Sequence, residues 1–187
     1  MLYFPQNTAL ILIDVQKGFD DPVWGRRNNP DAETNMVSLL HSWRQTGRPI
    51  FHIQHCSRNA QSVLHVSSPG HAIKDPVHPQ GEEPVLQKQV NSAFIGTDLE
   101  ERLRRNDITT LVIVGLTTNH CVETTTRMAG NLGFDTYLVS DATATFDRIG
   151  PDGLLHGAEE IQAITLTNLH QEFATIVTTE DVLRGIA

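Results

Sequence analysis

Short, continuous apolar runs alternate with longer amphipathic segments along the chain, and this alternation restricts the fold more than any other feature of the sequence. The runs ALILID (9–14) and TLVIVG (110–115) contain Leu, Ile and Val without polar alternation, which is typical of strands covered on both faces. The segment 31–46 carries apolar residues at helical spacing and ends before Gly47. Because strand and helix alternate about six times, we expect a three-layer α/β/α fold with a doubly wound, mainly parallel, six-stranded sheet.

The remaining elements follow the same order. The other predicted strands are 49–55, 84–88, 135–141 and 175–179, and the other predicted helices are 96–106, 119–132 and 154–170. Thr97 and Glu100 have the spacing of a capping box for the second helix. The polar stretch 57–83, rich in Pro, Gly, His and Ser, is too long for a simple connector, and loops of this kind are usually functional.

Length and charge narrow the class of protein. The chain has 187 residues, which fits one domain (1–187) with a sizeable core. Its formal net charge is −8, so the basic surface expected of a protein that binds nucleic acid or an anionic membrane is missing. We therefore expect small-molecule partners.

The sequence shows neither a basic leader followed by an apolar core nor an apolar run of the length that spans a bilayer. These features predict a cytoplasmic protein. In that reducing compartment the only two cysteines, Cys56 and Cys121, are expected to stay free.

Three reactive side chains follow or end predicted strands. Asp14 ends the first strand, Lys88 ends the third, and Cys121 lies a few residues beyond the fourth. In open α/β sheets the carboxyl ends of the strands meet at one edge, where sites form. Taken singly, these residues could be a helix cap, a solvated lysine and a buried core thiol. The convergence of an acid, an ammonium and a thiol favours a catalytic site.

The position of Cys121 suggests an activated nucleophile. It follows Thr117, Thr118 and Asn119, and Asn119 is the expected cap of the next helix because Asn is a favoured capping residue. A helix N-terminus and a nearby lysine both lower the pKa of a thiol. Asp14 could then take the thiol proton and later return it to a departing amine.

The same turn offers donors for an oxyanion. A tetrahedral intermediate formed on Cys121 would place its oxygen near the N–H of Cys121 and that of an upstream residue, Thr117 or Thr118. This arrangement suits acyl transfer from a small amide. Aromatic side chains at Phe19, Trp24 and Phe94, together with Thr118, are the candidates for lining the substrate pocket.

Several motifs resemble those of the isochorismatase-like cysteine hydrolases. The likeness covers nearly the whole chain and is carried by LILIDVQKGF, KQVNSAFIGTDLEERLR, LVIVGLTTNHCVETTTRMAGNLGFDTYLVSDATATF and LHQEFATIVTTEDVL. The resemblance implies that Asp14, Lys88 and Cys121 form a catalytic triad. It also implies a cis peptide at Leu116-Thr117 that turns backbone N–H groups toward the oxyanion, no cofactor, and a homo-oligomer, either a dimer or a tetramer.

The activities within this family can be separated by residue type. Nicotinamidase-like members carry a metal site from an Asp-x-His motif after the second strand, whereas this chain has His52 and His55 there and no Asp in the expected place. True isochorismatases, which cleave a vinyl ether, lack the nucleophilic cysteine. The resemblance therefore favours a metal-independent cysteine hydrolase that cleaves a C–N bond of a small amide, ureido or lactam substrate through a Cys121 thioester resolved by water. The alternatives are a metal-assisted nicotinamidase-type amidase, a vinyl-ether hydrolase, and a non-catalytic oligomeric binding protein.

Overall fold

The computed structural model describes residues 2–186 and contains eight strands and five α-helices in that range. The strands are β1 (Ala9–Ile13), β2 (Ile50–His55), β3 (Val85–Lys88), β4 (Thr110–Leu116), β5 (Asp135–Ala144), β6 (Arg148–Ile149), β7 (Leu155–His156) and β8 (Thr175–Val177). The helices are α1 (Ala32–Thr46), α2 (Leu99–Arg105), α3 (Glu123–Asn131), α4 (Ala158–Leu169) and α5 (Thr179–Gly185).

Six of these strands form one sheet in the order β3-β2-β1-β4-β5-β8, and every neighbouring pair is parallel. The strand order reverses direction between β1 and β4, which makes the carboxyl ends of these two strands the switch point of the sheet. The predicted doubly wound, parallel six-stranded sheet is therefore confirmed.

Alternation along the strands divides the core into two layers. Leu10 and Leu12 of β1 pack with α1 and α5 on one face, whereas Ile11 and Ile13 pack with α2, α3 and α4 on the other. Successive side chains of a strand point to opposite faces, and here both faces are covered. This explains why the central strands contain continuous apolar runs.

Three predicted helix starts are wrong. The third α-helix begins at Glu123, not at residue 119, because a π-helical turn, Thr118–Val122, precedes it. The fourth helix begins at Ala158, not at residue 154, because β6 and β7 pair antiparallel and hold the preceding residues extended. The second helix begins at Leu99, and its capping position is Asp98 rather than Thr97. The Thr97 hydroxyl donates to the carbonyl of Ala93 at 2.5 Å and accepts from the N–H of Leu99 at 3.3 Å, so it bonds the start of the helix but does not form the predicted capping box with Glu100.

Gly115 allows β1 and β4 to approach closely at the switch point. Its φ is +130°, a value that side chains rarely adopt. A Cβ atom at this position would collide with the backbone of Ile13.

Within residues 2–186, no helix combines the length and the apolar character needed to cross a membrane.

Candidate active site

The structure brings the three predicted side chains together at the switch point. The Nζ atom of Lys88 lies 2.6 Å from Oδ2 of Asp14, and both side chains are fully buried. The Sγ atom of Cys121 lies within 4.8 Å of a carboxylate oxygen of Asp14. An acid, an ammonium and a thiol thus share one pocket, as their places after parallel strands predicted.

Local backbone geometry aims Asp14 and Lys88 at each other. Asp14 adopts a left-handed conformation with φ +51°, and its N–H donates to the carbonyl of Ile53 at 3.0 Å. Lys88 is the last residue of β3 and points inward, paired in register with His55 of β2. The ammonium also lies 3.2 Å from Nδ1 of His55.

Cys121 lies in a π-helical turn, Thr118–Val122, that precedes α3. The N–H groups of His120 and Val122 both donate to the carbonyl of Thr117, at 3.1 and 3.3 Å. The peptide bond between Leu116 and Thr117 is cis, as the family resemblance implied. The turn therefore belongs to the loop that leaves β4 and holds the thiol at the carboxyl end of that strand.

Asn119 does not cap this turn, so that prediction is wrong. The structure assigns the capping position to Thr117, and Oδ1 of Asn119 instead accepts a hydrogen bond from the Thr145 hydroxyl at 2.6 Å. The reason is that the loop after β5 carries Thr145 beside the turn and provides a donor that sequence spacing does not reveal.

The thiol of Cys121 is less acidic than its position in the sequence suggested. Burial and the negative charge of Asp14 raise the pKa of Cys121 to about 12, and the ammonium of Lys88 offsets this only in part. Burial also raises the pKa of Asp14, again against the influence of Lys88. The expected lowering of the thiol pKa is therefore wrong, because desolvation outweighs the nearby cation. The proton stays on sulfur until another group removes it.

Two buried oxygens near the turn have no hydrogen-bond partner among the described residues. One is Oδ1 of Asp14 and the other is the hydroxyl oxygen of Thr118. Unpaired buried polar atoms are rare in folded proteins and call for an explanation. The lone pairs of Asp14 Oδ1 are therefore free to accept a proton.

A cavity of about 330 Å³ opens beside the turn. Its lining combines aromatic, polar and charged side chains, among them Trp24, Phe146, Asn119, His120, Asp147 and Arg148. The side chains of Asp14, Lys88 and Cys121 do not line it. The indole of Trp24 stacks 5.7 Å from Phe146 and lies 5.2 Å from Phe19. Trp24 thus lines the cavity, whereas Phe19 is buried against Trp24 and does not line it, so the prediction for Phe19 is wrong.

The other two predicted pocket residues occupy different places. Phe94 is buried and stacks at 5.9 Å on Phe134, within the core layer that contains α2, α3 and α4. Thr118 is fully buried. Neither lines the cavity beside Trp24.

The two histidines of β2 diverge, and they do not form a pair of metal ligands. His52 is bonded to Glu83 at 2.9 Å, whereas His55 faces Lys88. Within residues 2–186, the atoms of Asp14, His55 and Cys121 form the one group of three potential ligand atoms within 4.8 Å of one another. Because Lys88 already donates to Asp14 and His55, a cation is in place there, and this donor set does not fit a resident divalent metal.

The sequence patterns did not predict that His55 lies in the site with Asp14, Lys88 and Cys121. It ends β2 at the same edge as Asp14 and Lys88, which is the signal that could have identified it. The aromatic ring of Phe146 was also missed, because no periodicity marks the loop after β5.

Fold and site together define a doubly wound α/β protein with a buried acid, ammonium and thiol at its switch point. The isochorismatase domain model matches residues 8–181, and the chain belongs to the isochorismatase family of hydrolases. It is 53% identical over 178 residues to the uncharacterized isochorismatase family protein YrdC of Bacillus subtilis, covering 95% of each chain. A crystal structure of an isochorismatase-family protein from Chromobacterium violaceum superposes with a TM-score of 0.96 at 43% identity, covering 99% of this chain and 96% of the other.

More distant relatives have names that state a reaction. Nicotinamidase 3 of Arabidopsis thaliana is 27% identical, covering 95% of this chain and 88% of the relative. The ureidoacrylate amidohydrolase RutB of Agrobacterium fabrum is 33% identical over 111 residues, which are 59% of this chain and 44% of the relative.

Proposed function

We propose that this protein is a metal-independent cysteine hydrolase that cleaves a C–N bond of a small amide, ureido or lactam substrate. The observation that carries the proposal is the buried cluster of Asp14, Lys88 and Cys121. Lys88 donates to Oδ2 of Asp14 at 2.6 Å, Oδ1 has no hydrogen-bond partner among the described residues, and a carboxylate oxygen of Asp14 lies within 4.8 Å of the Cys121 sulfur. Two relatives named for amide or ureido hydrolysis belong to the same family. Both reactions break a C–N bond.

In the first half-reaction, Cys121 forms a thioester with the substrate. Sγ attacks the carbonyl carbon while Oδ1 of Asp14 takes the thiol proton, and the carbonyl oxygen becomes an oxyanion held by the N–H groups of Thr117 and Cys121. When the intermediate collapses, the C–N bond breaks and Asp14 gives its proton to the departing nitrogen. The amine leaves and the acyl group remains on sulfur.

In the second half-reaction, water resolves the thioester. Asp14, ionised again, takes a proton from water as the water oxygen attacks the acyl carbon. The C–S bond then breaks, the acid leaves, and the proton on Asp14 returns to the sulfur of Cys121. The enzyme is restored with its thiol protonated, which agrees with the raised pKa of that group.

Lys88 makes a carboxylate base possible in a buried site. Burial alone raises the pKa of Asp14 and favours the neutral acid, which cannot take a proton. The ammonium at 2.6 Å stabilises the carboxylate and also any thiolate that forms on Cys121. We therefore assign Lys88 an electrostatic role and Asp14 the proton transfers.

The cavity beside the turn suits a small, partly flat substrate. Its volume of about 330 Å³ lies at the low end of ligand pockets. Trp24 and Phe146 offer an apolar wall, Asn119 and His120 offer polar contacts, and Asp147 and Arg148 add charged groups. A compact amide with one planar portion would use both kinds of surface.

The test is a screen of small amides, ureido compounds and lactams for release of ammonia or amine, followed by intact-protein mass spectrometry. We expect a substrate-dependent mass increase on the wild type and on Cys56→Ala, the matched control, and neither turnover nor adduct with Cys121→Ala. Turnover by a correctly folded Cys121→Ala variant at the wild-type rate would refute the cysteine mechanism.

A further inference from the structure

His55 lies inside the acid–ammonium–thiol cluster without belonging to the predicted triad. Its ring nitrogen Nδ1 is 3.2 Å from Nζ of Lys88, and one of its ring nitrogens lies within 4.8 Å of both an Asp14 oxygen and the sulfur of Cys121. The residue is half-buried at the end of β2. It is therefore close enough to influence every reacting group.

The partner of Nδ1 determines the form of the imidazole. An ammonium can only donate hydrogen bonds, so Nδ1 must accept, and the single ring proton of the neutral form is on Nε2. Burial and the positive charge of Lys88 lower the pKa of His55 to about 4. The ring is consequently a neutral acceptor near pH 7 and places no second positive charge beside Lys88.

The backbone of His55 is fixed to the loop that carries Asp14. The side-chain amide of Gln16, fully buried, donates to the carbonyl of His55 at 3.0 Å and accepts from its N–H at 2.8 Å. The N–H of Gln16 in turn donates to the carbonyl of Asp14 at 2.8 Å. These bonds hold the imidazole and the carboxylate in one rigid frame, with Lys88 between them.

We propose that His55 is a positioning residue that holds the Lys88 ammonium against Asp14 through Nδ1. A lysine has a long, flexible side chain, and its ammonium can rotate among several directions. Two acceptors, Asp14 on one side and His55 on the other, restrict it to the direction in which it stabilises the carboxylate. This inference rests on the proposed function, because Asp14 is the base that the ammonium keeps ionised.

Three substitutions of His55 distinguish the contribution of Nδ1 from that of Nε2. An Asn side chain can place an oxygen acceptor near the position of Nδ1, whereas Gln places its polar group near that of Nε2 and Ala provides neither. We expect His55→Ala and His55→Gln to lower kcat by about tenfold to a hundredfold, since small displacements of catalytic groups have effects of that order. KM should change little, and His55→Asn should recover most of kcat.

The pH dependence of kcat/KM provides a second test, because it would not change if His55 only stabilised the fold. Because Lys88 lowers the pKa of Asp14, a loosened ammonium lets that pKa rise. The acid limb of kcat/KM should therefore move to higher pH in His55→Ala and return toward the wild-type position in His55→Asn. His41→Ala, at an exposed position of α1, is the matched control and should behave as wild type.

The possible results separate this inference from the proposed function. Wild-type kcat and pH profile in folded His55→Ala, with Cys121→Ala inactive, would overturn the inference alone. Activity retained by His55→Gln and lost by His55→Asn would also overturn it, because the important contact would then be at Nε2. Turnover by Cys121→Ala would instead refute the proposed function. Thermal unfolding of each variant identifies losses due to misfolding, and if His55→Ala does not fold, the Asn and Gln variants decide.

Discussion

The ammonium of Lys88 lies 2.6 Å from Oδ2 of Asp14, and neither side chain has any exposed surface. A buried ion pair contributes little net stability, because desolvation opposes the attraction, but removal of one partner leaves an uncompensated charge. The pair lies at the switch point of the sheet, where the proposed chemistry needs an ionised carboxylate. Its position is better explained by catalysis than by stability.

Replacing Asp14 alone should therefore destabilise the fold as well as stop turnover. We expect Asp14→Asn to lower the free energy of unfolding by about 3–5 kcal/mol, because it leaves Lys88 charged and buried. The double variant Asp14→Asn with Lys88→Met should recover much of this loss in denaturant unfolding but no activity. Asp75→Asn, which breaks the exposed pair with Lys17, is the control and should cost about 1 kcal/mol or less. Equal losses in Asp14→Asn and Asp75→Asn would contradict the prediction.

The pH dependence of thiol alkylation should report the charge of Asp14. Since the pKa of Cys121 is raised to about 12 in part by this carboxylate, the thiolate fraction should be small at neutral pH and increase on going to alkaline pH. Removal of the negative charge in Asp14→Asn should lower the thiol pKa and shift the iodoacetamide rate profile of Cys121 to lower pH. Peptide mass spectrometry distinguishes this site from Cys56. An unchanged or upward-shifted profile would mean that Asp14 does not control the thiol.

Gly115 should tolerate no side chain. Substitution by Ala adds a Cβ that meets the Ile13 backbone at a φ of +130°, and strain and overpacking each cost about 1–3 kcal/mol. We expect Gly115→Ala to lower the free energy of unfolding by roughly 2–6 kcal/mol. Gly133→Ala is the matched control, because that glycine also has positive φ but nothing within 4 Å of the added atom. If both variants lose the same stability, the close approach of β1 and β4 is not the cause.

Trp24 should affect substrate binding more than chemistry. Its ring faces the cavity and stacks on Phe146, and contacts of this kind are worth about 0.5–1.5 kcal/mol each. We expect Trp24→Ala to raise KM by roughly tenfold, which corresponds to about 1.4 kcal/mol, whereas Trp24→Phe should stay close to wild type. Phe94→Leu, in the core against Phe134, should lower Tm without changing KM. A rise in KM for Phe94→Leu would show that this side chain contacts substrate.

Much of the architecture could be predicted because it depends on patterns that are local in the chain. Continuous apolar runs identified the buried strands, and their alternation with helices led to the parallel sheet confirmed by its strand order. The predicted helix starts were wrong where contacts with neighbouring residues determined the first helical residue. The Thr97 hydroxyl bonds Ala93 and Leu99 one residue before the capping position at Asp98, and β6 and β7 delay the start of α4.

By itself the sequence determined which reactive side chains reach the carboxyl edge of the sheet, since Asp14, Lys88 and Cys121 each end or follow an apolar run that forms a parallel strand. Only the tertiary structure decided how they interact. Burial and the proximity of Asp14 raise the pKa of the thiol that a helix N-terminus alone would lower, and His55 joins the cluster through Lys88. The physical reason is that desolvation and charge interactions depend on distances of a few ångströms between residues far apart in sequence.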